Sequence, residues 1–185
     1  MSMLSNQTGD GVATFDHPLQ MLHACHGKIM QQCSTLRSLT EHLPRQGCDT
    51  RAQQAAQAIL RYFETAGELH HQDEEIDLFP ALRAVLNHET APQMEALLAD
   101  LLADHVALLA LWGQIQPLLQ QLAQGEVVAL PTDLSERFIA GYFGHIAREE
   151  KELLPLAEYL LTPAQLEPLG ASMAARRHGE IERNA

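Results

Sequence analysis

Positive charge is scarce in this chain: 12 Lys and Arg stand against 24 Asp and Glu among 185 residues, a net charge of −12 at pH 7. The basic residues form no run, so neither nucleic acid nor an anionic membrane surface is an expected partner. Long hydrophobic runs are missing too. No stretch approaches the roughly 18 consecutive apolar residues of a membrane span, and the opening MSMLSNQTGDG lacks the charged and apolar regions of a signal peptide. A cytoplasmic protein is the expectation. Cysteine is limited to Cys25, Cys33 and Cys48; an odd count excludes a complete disulfide framework, and reduced thiols are the default. Strand signals are absent as well: about six residues of alternating pattern with β-branched enrichment occur nowhere, and Val127-Val128 sits among loop residues.

What the chain does have is enough apolar material, 46% of its residues, for one ordinary domain with a buried core. Helix punctuation is clear along its length. Residues 1–15 are polar and expected to lack fixed structure. Asp16 is placed to cap a first helix, whose apolar positions Leu19, Leu22, Ile29, Met30, Leu36 and Leu39 recur at helical spacing and which must stop near Pro44 and Gly47. Asp49 or Thr50 opens a second helix reaching about Leu86. Thr90-Ala-Pro-Gln93 reads as a capping box for a third, ending near Ala123 and Gly125. Asp133 with Glu136 starts a fourth, and Thr162-Pro163-Ala-Gln165 a short fifth that ends near Arg177. The fold class is therefore all-α: an antiparallel up-down four-helix bundle over residues 16–161, with an additional C-terminal helix and tail in 162–185.

One motif occurs twice. His70, Glu74, Glu75, Leu78 and Pro80 are matched in spacing by His145, Glu149, Glu150, Leu153 and Pro155. This composition would give roughly 0.07 His-x3-Glu-Glu strings by chance, so two copies sharing the same Leu and Pro mark a repeat. The repeat extends upstream, where LHACHGKI aligns with LLADHVAL and matches His26 to His105. From lone His to His-Glu-Glu the chain spans 44 residues in the first half and 40 in the second, so it reads as two related helical hairpins.

Residues four apart on a helix project in nearly the same direction, about 6 Å from each other, so His70 with Glu74 and His145 with Glu149 can each bind from one face. Glu75 and Glu150 are rotated by about 100° and point toward other partners. His71 has the same spacing to Glu75, but in the repeat it falls on Ile146, whereas His70 falls on His145. Six inward groups result: His26, His70, Glu74, His105, His145 and Glu149. Burying them without compensation would cost several kcal/mol per ion. Two metal ions would convert that cost into binding energy. Four nitrogens and two bridging carboxylates supply about eight donors where two octahedral ions take roughly twelve, which leaves open positions. Such mixed ligation suits iron best, and zinc, manganese and copper are also compatible with these residue types.

At these residues the chain resembles the hemerythrin-like, or HHE cation-binding, domain family. That family's di-iron members carry a His on the first helix, His-x3-Glu on the second, a His on the third and His-x3-Glu on the fourth. His26, then His70 with Glu74, then His105, then His145 with Glu149 meet that order over about residues 16–160. The resemblance implies a four-helix bundle around two iron ions bridged by oxide or hydroxide, with a small diatomic molecule or peroxide as ligand. Oxygen-carrying hemerythrins have a second His one turn from the third-helix ligand, where this chain has Leu101 and Leu109, and a His-x4-Asp where it has His145-x3-Glu149. Those departures point away from reversible oxygen carriage. They leave two expectations: a binding, sensing or iron-holding module that signals through a separate protein partner, or a small redox enzyme acting on peroxide, nitric oxide or iron–sulfur clusters.

Overall fold

The computed structural model describes residues 14–183; most of the segment expected to lack fixed structure, residues 1–13, lies outside the described residues. Among the described residues the chain is all helical. Helix α1 is Pro18–Gln46, α2 runs through residues 50–85, α3 is Ala91–Ala123, α4 runs through residues 132–160, and α5 is Pro163–Arg183. Helix α1 packs against α2 and α4, and α3 packs against the same two, so each long helix has two long neighbours.

The helix ends follow the expected positions more closely than the expected chemistry. Asp49 caps α2, accepting from the Ala52 amide at 2.9 Å. At the start of α5, Gln165 Oε1 reaches back to accept from the Thr162 amide at 3.0 Å. Asp16 does not cap α1; His17 holds that place without a side-chain bond, and Pro18 starts the helix, its missing N–H costing nothing there. Thr90 forms no capping box either, because its hydroxyl and amide donate to Asn87 Oδ1 at 3.1 and 3.0 Å and close a local turn. Helix α4 begins at Thr132 after Pro131, and Glu136 serves Arg37 rather than a cap. Helix α5 is 21 residues long and passes Arg177.

The core is split in two. One cluster holds Ile29, Leu36, Ile59, Phe63, Leu108, Leu119, Phe138 and Tyr142; the other holds Leu22, Leu78, Phe79, Leu82, Leu98, Leu101, Leu153 and Ala157. On α1 the boundary falls between Leu22 and Ile29, and on α3 between Leu101 and Leu108, which brackets His26 and His105. By length and composition alone α3 is apolar enough to cross a membrane. Its Leu98, Leu101, Leu108, Ile115, Leu119 and Leu122 are buried in the two clusters, while Val106 and Leu109 are exposed.

Helices α2 and α4 leave α-geometry at corresponding places. Residues Asp73–Leu78 and Glu149–Leu153 are π-helical: the Phe79 amide donates to the Glu74 carbonyl and the Leu154 amide to the Glu149 carbonyl, each five residues back. The repeated prolines account for this. Pro80 and Pro155 have no N–H, and their rings crowd the carbonyls four residues earlier, so the turn before each one widens. A further π-turn, Phe63–Gly67, lies upstream in α2.

Helix α5 fastens onto the first of these turns. Arg176 donates to Asp73 and, at 2.6 Å, to Asp77, while Arg177 donates to Asp73 at 2.6 Å. Ser172 adds a bond to Asp77 at 2.9 Å. Asp73 is buried, and two guanidinium groups compensate its charge. Gly170 lets α5 approach the start of the described chain so closely that a Cβ there would overlap the Phe15 carbonyl.

Candidate metal centre

All six residues singled out in the sequence converge on the boundary between the two apolar clusters, and none is more than 4% exposed. They form two overlapping groups. In the first, His26, His70, Glu74 and Glu149 each offer one donor atom within 4.8 Å of the others; in the second, Glu74, His105, His145 and Glu149 do the same. Both carboxylates belong to both groups. Glu74 Oε1 lies 3.3 Å from His70 Nε2 and 3.9 Å from His26 Nε2, while its Oε2 lies 3.3 Å from His105 Nε2. Glu149 Oε2 lies 3.1 Å from His26 Nε2 and 3.3 Å from His145 Nε2.

Those separations suit donors around a common cation. Neighbouring ligands of an ion with bonds of about 2.1 Å stand about 3.0 Å apart. The inward atoms also have no other use: His26 Nε2, His70 Nε2, and both oxygens of Glu74 and of Glu149 are buried without a hydrogen bond. Each such orphan costs about 1–3 kcal/mol. A cation is the group that would satisfy them together, and the donor set fits one in each group.

The outward nitrogens fix the tautomers. His105 Nδ1 donates to Glu75 at 2.6 Å, His145 Nδ1 to Asp104 at 3.3 Å, and His26 Nδ1 to Glu150. A proton on Nδ1 leaves the Nε2 lone pair facing inward, as ligation requires. His105 Nε2 and His145 Nε2 are 3.0 Å apart, so with both outward protons in place two lone pairs face each other until a proton or metal separates them. The second glutamate of each repeat thus acts across the duplication. Glu75 orients the lone His of the second half and Glu150 that of the first, which agrees with the expectation that these two point away from the donors.

Charge within the layer is divided unevenly. Burial alone would lower His26, but Glu149, Glu74 and Glu150 outweigh it and push its pKa up to about 10. Burial dominates at His70 and at His145 and pulls each down to about 4. Burial and the adjacent Glu74 charge push Glu149 up to about 8. Burial also works against ionised Glu74, but His70, His105 and His26 outweigh it and hold this carboxylate well below its usual range. Without metal the layer therefore holds protons where cations fit.

Some participants were not legible in the sequence. Asp104 pairs with Arg148 and orients His145, yet its aligned partner in the first half is Cys25, so the repeat gave no signal for it. Asp73, buried beside Glu74, aligns with Arg148 and takes its counter-charge from α5. His71 is half-buried; its ring stacks on His105 with centroids 4.0 Å apart, and its Nε2 is buried and unpartnered. His23 is exposed and bonded to Glu150 at 2.8 Å.

The description of the hemerythrin HHE cation binding domain matches residues 17–157. An uncharacterized protein of Haemophilus influenzae is 36% identical over 165 residues, covering 89% of this chain and 92% of its own length.

Two predictions arise from this geometry. Replacing Glu75 or Glu150 with Ala lowers metal affinity by about 10- to 100-fold while the fold persists, as measured by competitive zinc titration alongside circular dichroism; unchanged affinity would remove their orienting role. Metal loading at pH 7 releases protons from His26, His105 and Glu149, whose pKa values are all raised in the metal-free layer. Apparent affinity accordingly falls as pH drops. Calorimetric titration in two buffers of different ionisation enthalpy measures the release, and equal heats in both would contradict it.

Proposed function

The chain belongs to the hemerythrin HHE cation-binding domain family, and on that premise we propose that it is a non-haem di-iron protein that binds or senses dioxygen, nitric oxide or peroxide, or buffers iron. The observation that carries this reading is the pair of buried donor groups sharing Glu74 and Glu149. His26 and His70 would hold one ion and His105 and His145 the other, with both carboxylates reaching across. The four long helices are taken as an antiparallel up-down bundle around them. Four imidazoles with two carboxylates favour iron over purely oxygen-liganded magnesium or calcium, and zinc and manganese accept the same donors. Bound iron would supply a Lewis-acidic, redox-active pair with positions left open for a small ligand.

The chain's own residues do the rest. Glu75, Glu150 and Asp104 hold three imidazoles in the ligating tautomer. The apolar clusters on either side keep bulk water from the layer. A groove of about 590 Å³, lined by His71, His105, Tyr142 and Trp112 among others, reaches the second group from the surface and is wide enough for a small molecule.

The test is elemental analysis and visible spectroscopy on protein purified without a metal-affinity tag, followed by gas uptake by the reduced form. Two irons per chain and stoichiometric uptake of dioxygen or nitric oxide are expected. Sustained consumption with a reductant present would reassign the protein as a small redox enzyme. Failure to take up metal after anaerobic ferrous reconstitution would overturn the di-iron reading.

A further inference from the structure

The two widened turns that carry Glu74 and Glu149 are held from outside by different means. Just ahead of Glu149, Arg148 pairs with Asp104 of α3 and, at 3.8 Å, with Asp100. The aligned residue ahead of Glu74 is Asp73, of opposite charge, so the cations there come from α5 instead. Arg176 donates through one nitrogen to Asp73 and through another, at 2.6 Å, to Asp77. Those carboxylates stand at the start and near the end of the turn Asp73–Leu78, so a single guanidinium spans it. Arg177 bonds Asp73 at 2.6 Å and is itself held by the Met173 carbonyl at 3.0 Å and by the Phe15 ring, whose centroid is 5.2 Å from its guanidinium carbon. The residue aligned with Asp77 in the second half is Glu152, which is exposed. The family match ends at residue 157, and α5 lies wholly beyond it.

We propose that Arg176 and Arg177 are positioning residues of the metal centre: by clasping the turn between Asp73 and Asp77 they fix the place of Glu74. This rests on the di-metal reading above and brings into it an element outside the bundle. Pro80 has removed one backbone bond from this stretch, and Arg176 ties its two ends together through side chains. Glu74 is fully buried and belongs to both donor groups, so a shift of this one turn reaches both metal positions. The Glu149 turn has its own arginine on α4 and does not depend on α5.

Arg176→Lys and Asp77→Ala test the clasp with little folding risk, because Arg177 still neutralises Asp73 in both. A lysine is a point charge and lacks the guanidinium fork that reaches two carboxylates at once. In metal-free protein both variants speed hydrogen exchange of the Phe79 amide, which donates to the Glu74 carbonyl, by about 10-fold, and leave the Leu154 amide of the second turn unchanged. With cobalt(II) as the probe, both lower affinity by about 10-fold and alter the visible spectrum. Arg37→Gln breaks a two-bond ion pair with Glu136 that lies about 16 Å along α1 from His26, and it changes neither the Phe79 exchange nor the cobalt spectrum. Unchanged Phe79 exchange in the clasp variants, or faster exchange with unchanged cobalt affinity and spectrum, would overturn the positioning role while leaving the six-residue centre intact. Failure of wild type to bind cobalt would instead overturn the di-metal reading on which it rests.

Discussion

Four imidazoles and two carboxylates buried across the middle of an apolar core impose the constraint around which this molecule is arranged. Such a layer is unfavourable unless its polar atoms meet partners, and six of the inward atoms have none within the chain. The core divides into two clusters because the layer lies between them. The backbone yields to the same requirement: the carbonyl of each central glutamate accepts a bond from five residues downstream, in a widened turn whose cause is a proline six residues on.

The duplication explains how one chain builds such a layer, and its imperfections explain why the layer is not symmetric. Each half lends its second glutamate to the other half's lone histidine, so neither half completes a centre alone. At Asp104 and Cys25, at Arg148 and Asp73, and at Ile146 and His71, however, the halves carry different chemistry at aligned positions. One consequence is that His145 Nδ1 has a carboxylate partner while His70 Nδ1 has no hydrogen bond. Another is that the first half needs α5, whose two arginines neutralise the buried Asp73.

Much of this was legible in the sequence, for a physical reason. Spacing of four on a helix puts His70 and Glu74 on one face whatever surrounds them, and the second copy resolved the ambiguity with His71. The helix boundaries were readable from Pro, Gly and capping residues, although Asp16, Thr90 and Asp133 turned out not to cap, because Pro18 and Pro131 set the chain direction and Asn87 offered Thr90 a closer partner. The roles of Asp104, Asp73 and His71 were not legible, since each depends on which side chain of another helix lies opposite, and neither spacing nor repetition carries that information. Helix α5 outruns its expected end near Arg177 because the chain stays helical through Gly179 to Arg183.

Whether Glu74 and Glu149 are shared between two metal positions is read from a metal-loaded crystal measured at the absorption edge of the bound metal. Two anomalous peaks are expected in each chain, one between His26 and His70 and the other between His105 and His145, with both carboxylates spanning them. A single peak, or peaks outside the layer, would contradict it.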